Sequence, residues 1–271
     1  MNTPAPIDAW GLLGAATLIL FNGGVSVLLR LGLARRLLVA SIRTIAQLIL
    51  LGYVLVPIFH WDRASPVVAL CTIMVFLAAA EAVRRVGRRY RGMLPGTFVS
   101  LFVSAGGTAV LGTHAIIGIT PWWTPQYLIP ILGMLLGNIL NGVSLGLDRF
   151  LHDIDTKRQR VELDLALGAN RWEAARPLLR EALRVGMMPI INSMTVVGLV
   201  TIPGMMTGQI LGGSAPDLAA RYQIVIMFLI AAATTMGLLL TVFVAAARLF
   251  DEHHRLRFDR LKRSPTAQDH P

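Results

Sequence analysis

A few polar side chains stand inside otherwise apolar stretches, and any chemistry in this chain has to start from them. Arg43 and Gln47 are four residues apart, so a helix would present both on one face. Asn138 and Asn141 are three apart, beside Gly133, Gly137 and Gly142. Asn192-Ser-Met-Thr-Val-Val-Gly198 leads into Thr201-Ile-Pro-Gly-Met-Met-Thr-Gly-Gln209. A polar group in hydrocarbon is costly unless it is paired or faces water. Each of these residues is therefore either a tie between helices or part of a path for a polar solute. The asparagines suit both, because small neighbours permit close approach and amides bond across helices. Pro203 followed by Gly204 either ends a helix or breaks it, and a break frees carbonyls for water or a passing solute. Met205 and Met206, with Met187, Met188 and Met194, carry thioethers that suit a soft ion such as Cu(I), and they serve equally as apolar filler. The candidate path is Arg43, Gln47, Asn138, Asn141, Asn192, Pro203, Gly204, Met205, Met206, Thr207 and Gln209. Arg43 stands close enough to a helix end to snorkel. Glu81 could pair with Arg43, or with Arg84 or Arg85.

A second constellation lies in the polar segment 148–185. Leu163, Leu167, Trp172, Ala175, Leu179 and Leu183 recur at helical spacings, with Arg and Glu between them. Gly168 interrupts that pattern and predicts a break between two short helices. The segment holds 8 basic and 7 acidic residues. Near neutrality fits a protein contact better than a contact with anionic lipid.

The elements that position these residues follow from composition. Of 271 residues, 55% are apolar and only 15% charged, with a mean hydropathy of +0.63. A soluble domain carries about a quarter charged residues, so this chain reads as an all-α polytopic membrane protein in one transmembrane domain, 1–271. A helix needs about 20 apolar residues to cross hydrocarbon. Seven stretches qualify, at about 9–29, 37–59, 66–83, 94–117, 128–147, 186–206 and 222–247. Arg and Lys stay preferentially on the cytoplasmic side, and 22 of the 25 fall in 30–36, 84–93, 148–185 and the tail 248–271. That pattern predicts an outside N-terminus and a cytoplasmic C-terminus. It also accounts for the net charge of +10 without nucleic acid as a partner. Met1 to Ala9 contain no Lys or Arg, so the first apolar run is expected to be retained rather than cleaved. Cys71, the one cysteine, reads as a small buried hydrophobe.

Absences narrow the function. Lys157 follows Thr156 and Lys262 follows Leu261, so no Gly-Lys exists and the chain holds no Walker A loop. No His-Glu-x-x-His occurs, and no catalytic residue is assigned. A membrane-embedded enzyme, or a membrane scaffold without transport, is the alternative from another class.

The run Glu162-Leu-Asp-Leu-Ala-Leu-Gly-Ala-Asn-Arg-Trp172 resembles the coupling loop of ABC-transporter permeases, in which a Glu-Ala-Ala element precedes a glycine by six positions. Leu163-Asp164 replace the two alanines, and the later proline of that pattern is absent, since Glu181 stands there. Ile129-Pro130 to Gly133-Met134, Gly137-Asn138, Ser144-Leu145, Asn192–Gly198, Pro203–Gln209 and Tyr222-Gln-Ile224 extend the likeness over most of 40–250, and the chain resembles the FetB-type permease family. The resemblance implies a bacterial inner-membrane export permease that works as a homodimer with a separately encoded ATP-binding subunit. ATP and Mg would sit on that partner, with no cofactor on this chain and the bilayer around it. Glu162, Leu167, Gly168, Ala169, Arg171 and Trp172 would couple the two chains. Iron or another metal or metal complex would be the cargo, with Met205 and Met206 as speculative metal ligands. The plant relatives imply a nucleotide sugar or other small organic solute instead.

Overall fold

The computed structural model describes residues 9–61, 63–251 and 253–263. The expectation for the segment before Ala9, and the end of the basic tail, fall outside them. The chain divides into two compact units, 1–63 with 208–214, and 64–207 with 215–271.

In the first unit α1 (Ala9–Leu28) and α2 (Ala34–His60) pack on each other. The turn between them needs glycine at Gly32, where φ is +69°. The buried Ser26 hydroxyl holds the far side of that turn by accepting the Leu33 N–H at 3.0 Å. The rest of α2 is apolar and exposed almost all round, as a lipid-facing helix should be.

The second unit carries α3 (Ala64–Arg85), strand β1 (Arg88–Tyr90), α4 (Met93–Leu101) and α5 (Gly107–Val110). Two π-helical stretches, Phe102–Gly106 and Leu111–Ile116, join onto α4 and α5 and make one span, Met93–Ile116. Then come α6 (Pro125–Thr156), α7 (Arg158–Ala166), α8 (Arg171–Val196), α9 (Gly204–Leu211, shared with the first unit), α10 (Pro216–Leu249) and strand β2 (Leu261–Arg263). α6 is the centre, packed by α8, α10 and α3. Its inward stripe is Leu128, Leu132, Leu135, Ile139, Val143, Leu147, Phe150 and Ile154, stepping by three or four, and every one is buried. Half-buried Cys71 helps line an apolar cavity of about 500 Å³ between α3, the π-helical span and α6.

In lipid, apolar burial does not itself pull helices together; close packing does. α6 offers Gly142 and Gly146, and α8 offers Gly186 and Ala182, in antiparallel order. A Cβ on Gly142 would meet the Gly186 carbonyl oxygen at 2.8 Å, and one on Gly186 would meet the Gly142 oxygen at 2.7 Å. A Cβ on Gly146 would meet the Ala182 oxygen at 2.8 Å. The two backbones touch along one turn.

Among the described residues, five helical spans are long and apolar enough to cross a membrane: α2, α3, Met93–Ile116, α6 and α10. The protein is an all-α polytopic membrane protein. The helix ends differ most from the hydropathy reading at two places. The stripe of α6 continues past 147 to Ile154, because Asp153, though 2% exposed, is bonded by Arg149 at 3.2 Å and Lys157 at 3.0 Å. The stretch expected as one helix over 186–206 is helical only to Val196, and that helix begins at Arg171. Gly198 (φ +83°) turns the chain, and Val197 bridges to Thr201 before α9 starts.

Candidate functional site

The loop from α7 to α8 is held at both ends and bare at its apex. Asn170 caps α8: its Oδ1 accepts the Trp172 and Glu173 N–H groups at 2.9 and 3.0 Å, and the Glu173 carboxylate accepts the Asn170 N–H at 2.8 Å. Gly168 precedes the cap at φ +94°, a conformation side-chain-bearing residues adopt at a cost of about 1–2 kcal/mol. Ala169 closes the turn by donating its N–H to Asp164. Behind the loop, Trp172 packs on Phe243 of α10 with ring centres 5.6 Å apart. The Arg171 N–H donates to His254 Nδ1 at 3.2 Å, and its guanidinium donates to the Asp251 carbonyl at 3.3 Å. Backbone N–H groups of Arg255 and His253 hold the Asp251 carboxyl below its usual range and fix that bend of the tail. At the other end, Glu162 pairs with Arg158 at 2.7 Å, and Arg158 lies 4.6 Å over the Phe258 ring.

Between these anchors Leu163 is 57% and Leu167 77% exposed. The apolar positions on the two sides of the break at Gly168 therefore part: Ala175 and Leu179 turn into the core, while Leu163 and Leu167 turn outward. Asn170→Ala is expected to cost about 1 kcal/mol. It should lower the melting temperature and speed amide exchange at Trp172 and Glu173; unchanged exchange there would mean that the cap does not hold the loop.

A polar cleft of about 460 Å³ opens between α3, α6 and α8, lined by Arg85, Asn141, Ser144, Leu145, Asp148 and Pro189. Arg85 donates to Asn141 Oδ1 at 3.0 Å and pairs with Glu81 at 3.3 Å. Glu81 also pairs with Arg84, at 2.6 Å. Of the alternatives for Glu81, the two arginines of its own helix end are its partners. Asp148 accepts the Gly87 N–H at 2.8 Å, and Arg88 bonds Asp155 at 2.8 Å with both side chains mostly buried. The basic segments 84–93, 148–185 and 248–263 meet at one end of this unit.

The remaining candidates are scattered. Asn138 donates to the Met134 carbonyl of its own helix at 2.9 Å, so its amide does not tie helices together through that bond. Asn192 is exposed in α8. The Pro203 carbonyl accepts the Thr207 N–H and hydroxyl at 3.0 and 3.2 Å, which starts α9. Gly204 is exposed, Met205, Met206 and Gln209 are half-buried, and the Gln209 Oε1 is buried without a partner. Arg43 and Gln47 are exposed on α2 of the first unit. No group of three or more His, Cys, Asp or Glu that could hold a metal occurs among the described residues. Sequence reading missed Arg85, Ser144, Asp148 and Pro189 as residues that line one cleft with Asn141. The spacing of Glu81 and Arg85, four apart at a helix end, was the one available signal.

Comparison with known proteins agrees with this architecture. The family described as "Uncharacterised protein family (UPF0014)" matches residues 9–250. The chain is 39% identical over 249 residues to the UPF0014 membrane protein slr1647 of Synechocystis, covering 91% of this chain and 93% of that one. It is 31% identical over 235 residues to the probable iron export permease protein FetB of Escherichia coli, covering 86% and 89%. It is 31% identical over 216 residues to the protein ALUMINUM SENSITIVE 3 of Arabidopsis thaliana, covering 79% and 77%. No solved structure matches it significantly. Several apolar helices of crossing length and a family match over nearly the whole chain lead to one assignment: this is a multi-pass membrane protein of the UPF0014 family.

Proposed function

We propose that the chain is the membrane-spanning subunit of an ABC-type exporter in the bacterial inner membrane, with seven crossings and a cytoplasmic C-terminus. It pairs with a second copy of itself and with separate ATP-binding subunits that hold ATP and Mg. The observation that carries this reading is the capped loop apex. Leu163 and Leu167 are bare at the tip of a polar, near-neutral segment that is anchored on α10 and the tail. An apolar apex on a braced polar loop suits insertion into a protein cleft, and nucleotide-driven closure of the partner would move α8 through Trp172. The name of the Escherichia coli relative, a probable iron export permease protein, supports transport, and export in particular.

The cargo is iron or another metal, most simply as a complex. The cleft at Asn141 presents an amide, a hydroxyl and a guanidinium, groups that hydrogen-bond an oxygen-rich solute. The same groups favour the second reading, a nucleotide sugar or a similar organic solute. The speculative thioether site at Met205 and Met206 gains no further ligand from a cluster among the described residues.

The test reconstitutes the chain with its neighbouring ATPase in liposomes and follows ATP hydrolysis and flux of ferrous iron, ferric-citrate, Cu(I) and UDP-glucose. ATP-dependent flux of one solute is expected. Asn141→Leu is expected to cut that flux tenfold or so while the complex still assembles, since one lost buried hydrogen bond to a solute is worth about 1–3 kcal/mol. Complex formation without flux of any probe would retire metal export. No complex at all would leave a membrane enzyme or a scaffold without transport.

A further inference from the structure

The arginine-rich end of the second unit contains a built cleft that neither the coupling loop nor the polar cleft uses. β1 and β2 pair antiparallel, with Arg88 opposite Arg263, Arg89 opposite Lys262 and Tyr90 opposite Leu261. Cations placed directly opposite each other destabilise a strand pair. Here Arg89 and Lys262 make such a pair in only three residues of pairing. A local rule broken this plainly marks a place where something other than folding sets the residue types.

The strands form one wall of a cavity of about 840 Å³, within the range of small-molecule sites of about 300–1,000 Å³. Its lining includes Arg89, Arg91, Arg248, Arg257, Arg260 and Lys262, with Asp259 as the one carboxylate among the described residues. That carboxylate is already taken, bonded twice by Arg257 at 3.1 Å. Among the described residues, none of the other five cations pairs with a carboxylate. Arg260 is positioned by donating to the Arg248 carbonyl at 2.8 Å, which leaves most of its donors for the cavity. Arg89 Nε and the Tyr90 hydroxyl are buried and have no partner, and Tyr90 is 5% exposed. Burial pushes the Tyr90 hydroxyl up to about 12, so it stays a neutral donor. Forked guanidiniums and a buried hydroxyl, all donors, make the complement of a tetrahedral oxyanion.

The height of the cleft narrows the source. Arg248 lies in the last turn of α10 and Gly92 directly precedes α4, and both helices belong to spans of membrane-crossing length. The cavity therefore opens where two spans leave the apolar layer, the level at which headgroup phosphates lie.

We propose that this cleft binds the phosphate of an anionic phospholipid headgroup, gripped by Arg89, Arg91, Arg248, Arg260 and Lys262. The tail strand β2 would then be locked against β1 by the lipid at that face of the membrane, since the ligand neutralises the cations that otherwise repel across the pair.

The test uses the full chain in nanodiscs of phosphatidylcholine with and without phosphatidylglycerol, and native mass spectrometry counts the lipid retained on the released protein. Phosphatidylglycerol is expected to be retained over phosphatidylcholine. The excess should fall roughly tenfold or more in an Arg89→Gln, Lys262→Gln double variant, given the usual contribution of each cation near an anionic surface. Arg91 is exposed and outside the strands, so Arg91→Gln keeps the fold; it should lower retention, while Arg91→Lys restores most of it. If inorganic phosphate displaces the lipid with the same variant dependence, the phosphate site stands. If it binds there with no lipid preference, the phosphate chemistry stands with a soluble source and the lipid assignment falls. Equal retention of the two lipids with no phosphate effect, or retention indifferent to all three variants, would overturn the proposal.

Discussion

Gly186→Leu is expected to prevent α6 and α8 from closing and to yield little folded protein. Any folded fraction should have lost about 3 kcal/mol or more, because overpacking that cannot be relieved lies at the upper end of its usual range. The first added carbon would already stand 2.7 Å from the Gly142 carbonyl oxygen, and a backbone oxygen inside a helix cannot swing aside as a side chain does. Lipid offers no hydrophobic gain to offset the lost contact. Gly137→Ala is the internal comparison. It changes the same residue type five positions from Gly142 on α6, with no atom within 4 Å of the new carbon. That variant should be neutral or more stable, by about 0.5–1 kcal/mol from helix propensity. Thermal unfolding of the detergent-solubilised chains reads both. An unchanged melting temperature in Gly186→Leu would show that this crossing does not hold the unit together.

Gly168→Pro is expected to leave the protein folded and inserted but to sever ATP hydrolysis from transport, with flux below roughly a tenth of the parent while hydrolysis by the partner continues. Proline locks φ near −65°, whereas Gly168 sits at +94°. The substitution also removes the N–H that Gly168 donates to the Leu165 carbonyl at 3.1 Å, and it disfavours the helix-like conformation of Leu167. The turn that aims Leu163 and Leu167 outward would be lost, while the packing of α3, α6, α8 and α10 is untouched. Gly168→Asn, which tolerates the left-handed region, should retain more coupled transport than Gly168→Ala. Coupled flux unchanged by proline would end the docking role assigned to this loop.

Much of this arrangement can be read along the chain. The polytopic all-α class follows from runs of apolar residues longer than a bilayer is thick. The turn at Gly168 follows from a glycine between two helical patterns. Gly142 and Gly146 could have been read as a small-xxx-small pair, and Ala182 and Gly186 as its mate. The end of α6 could not. Asp148 and Arg149 look like the start of a polar loop, and only the Arg149–Asp153–Lys157 ladder and the Arg88–Asp155 pair let helix and burial run on to Ile154.

What the sequence determines by itself is therefore local: which stretches can dissolve in lipid, which end of each carries arginine, where glycine must bend the chain. These depend on residues a few positions apart, whose free energies of transfer and backbone preferences are set whatever the rest of the molecule does. Tertiary structure alone decides which polar groups share a cavity and which glycines touch. Arg85 meets Asn141 across 56 positions, Arg171 meets His254 across 83, and Arg89 faces Lys262 on a strand that no alternating pattern announces. Such contacts are few and specific. A single hydrogen bond or a single close backbone approach leaves no periodic trace in composition, and its partner is chosen only when packed helices bring the two segments to the same place.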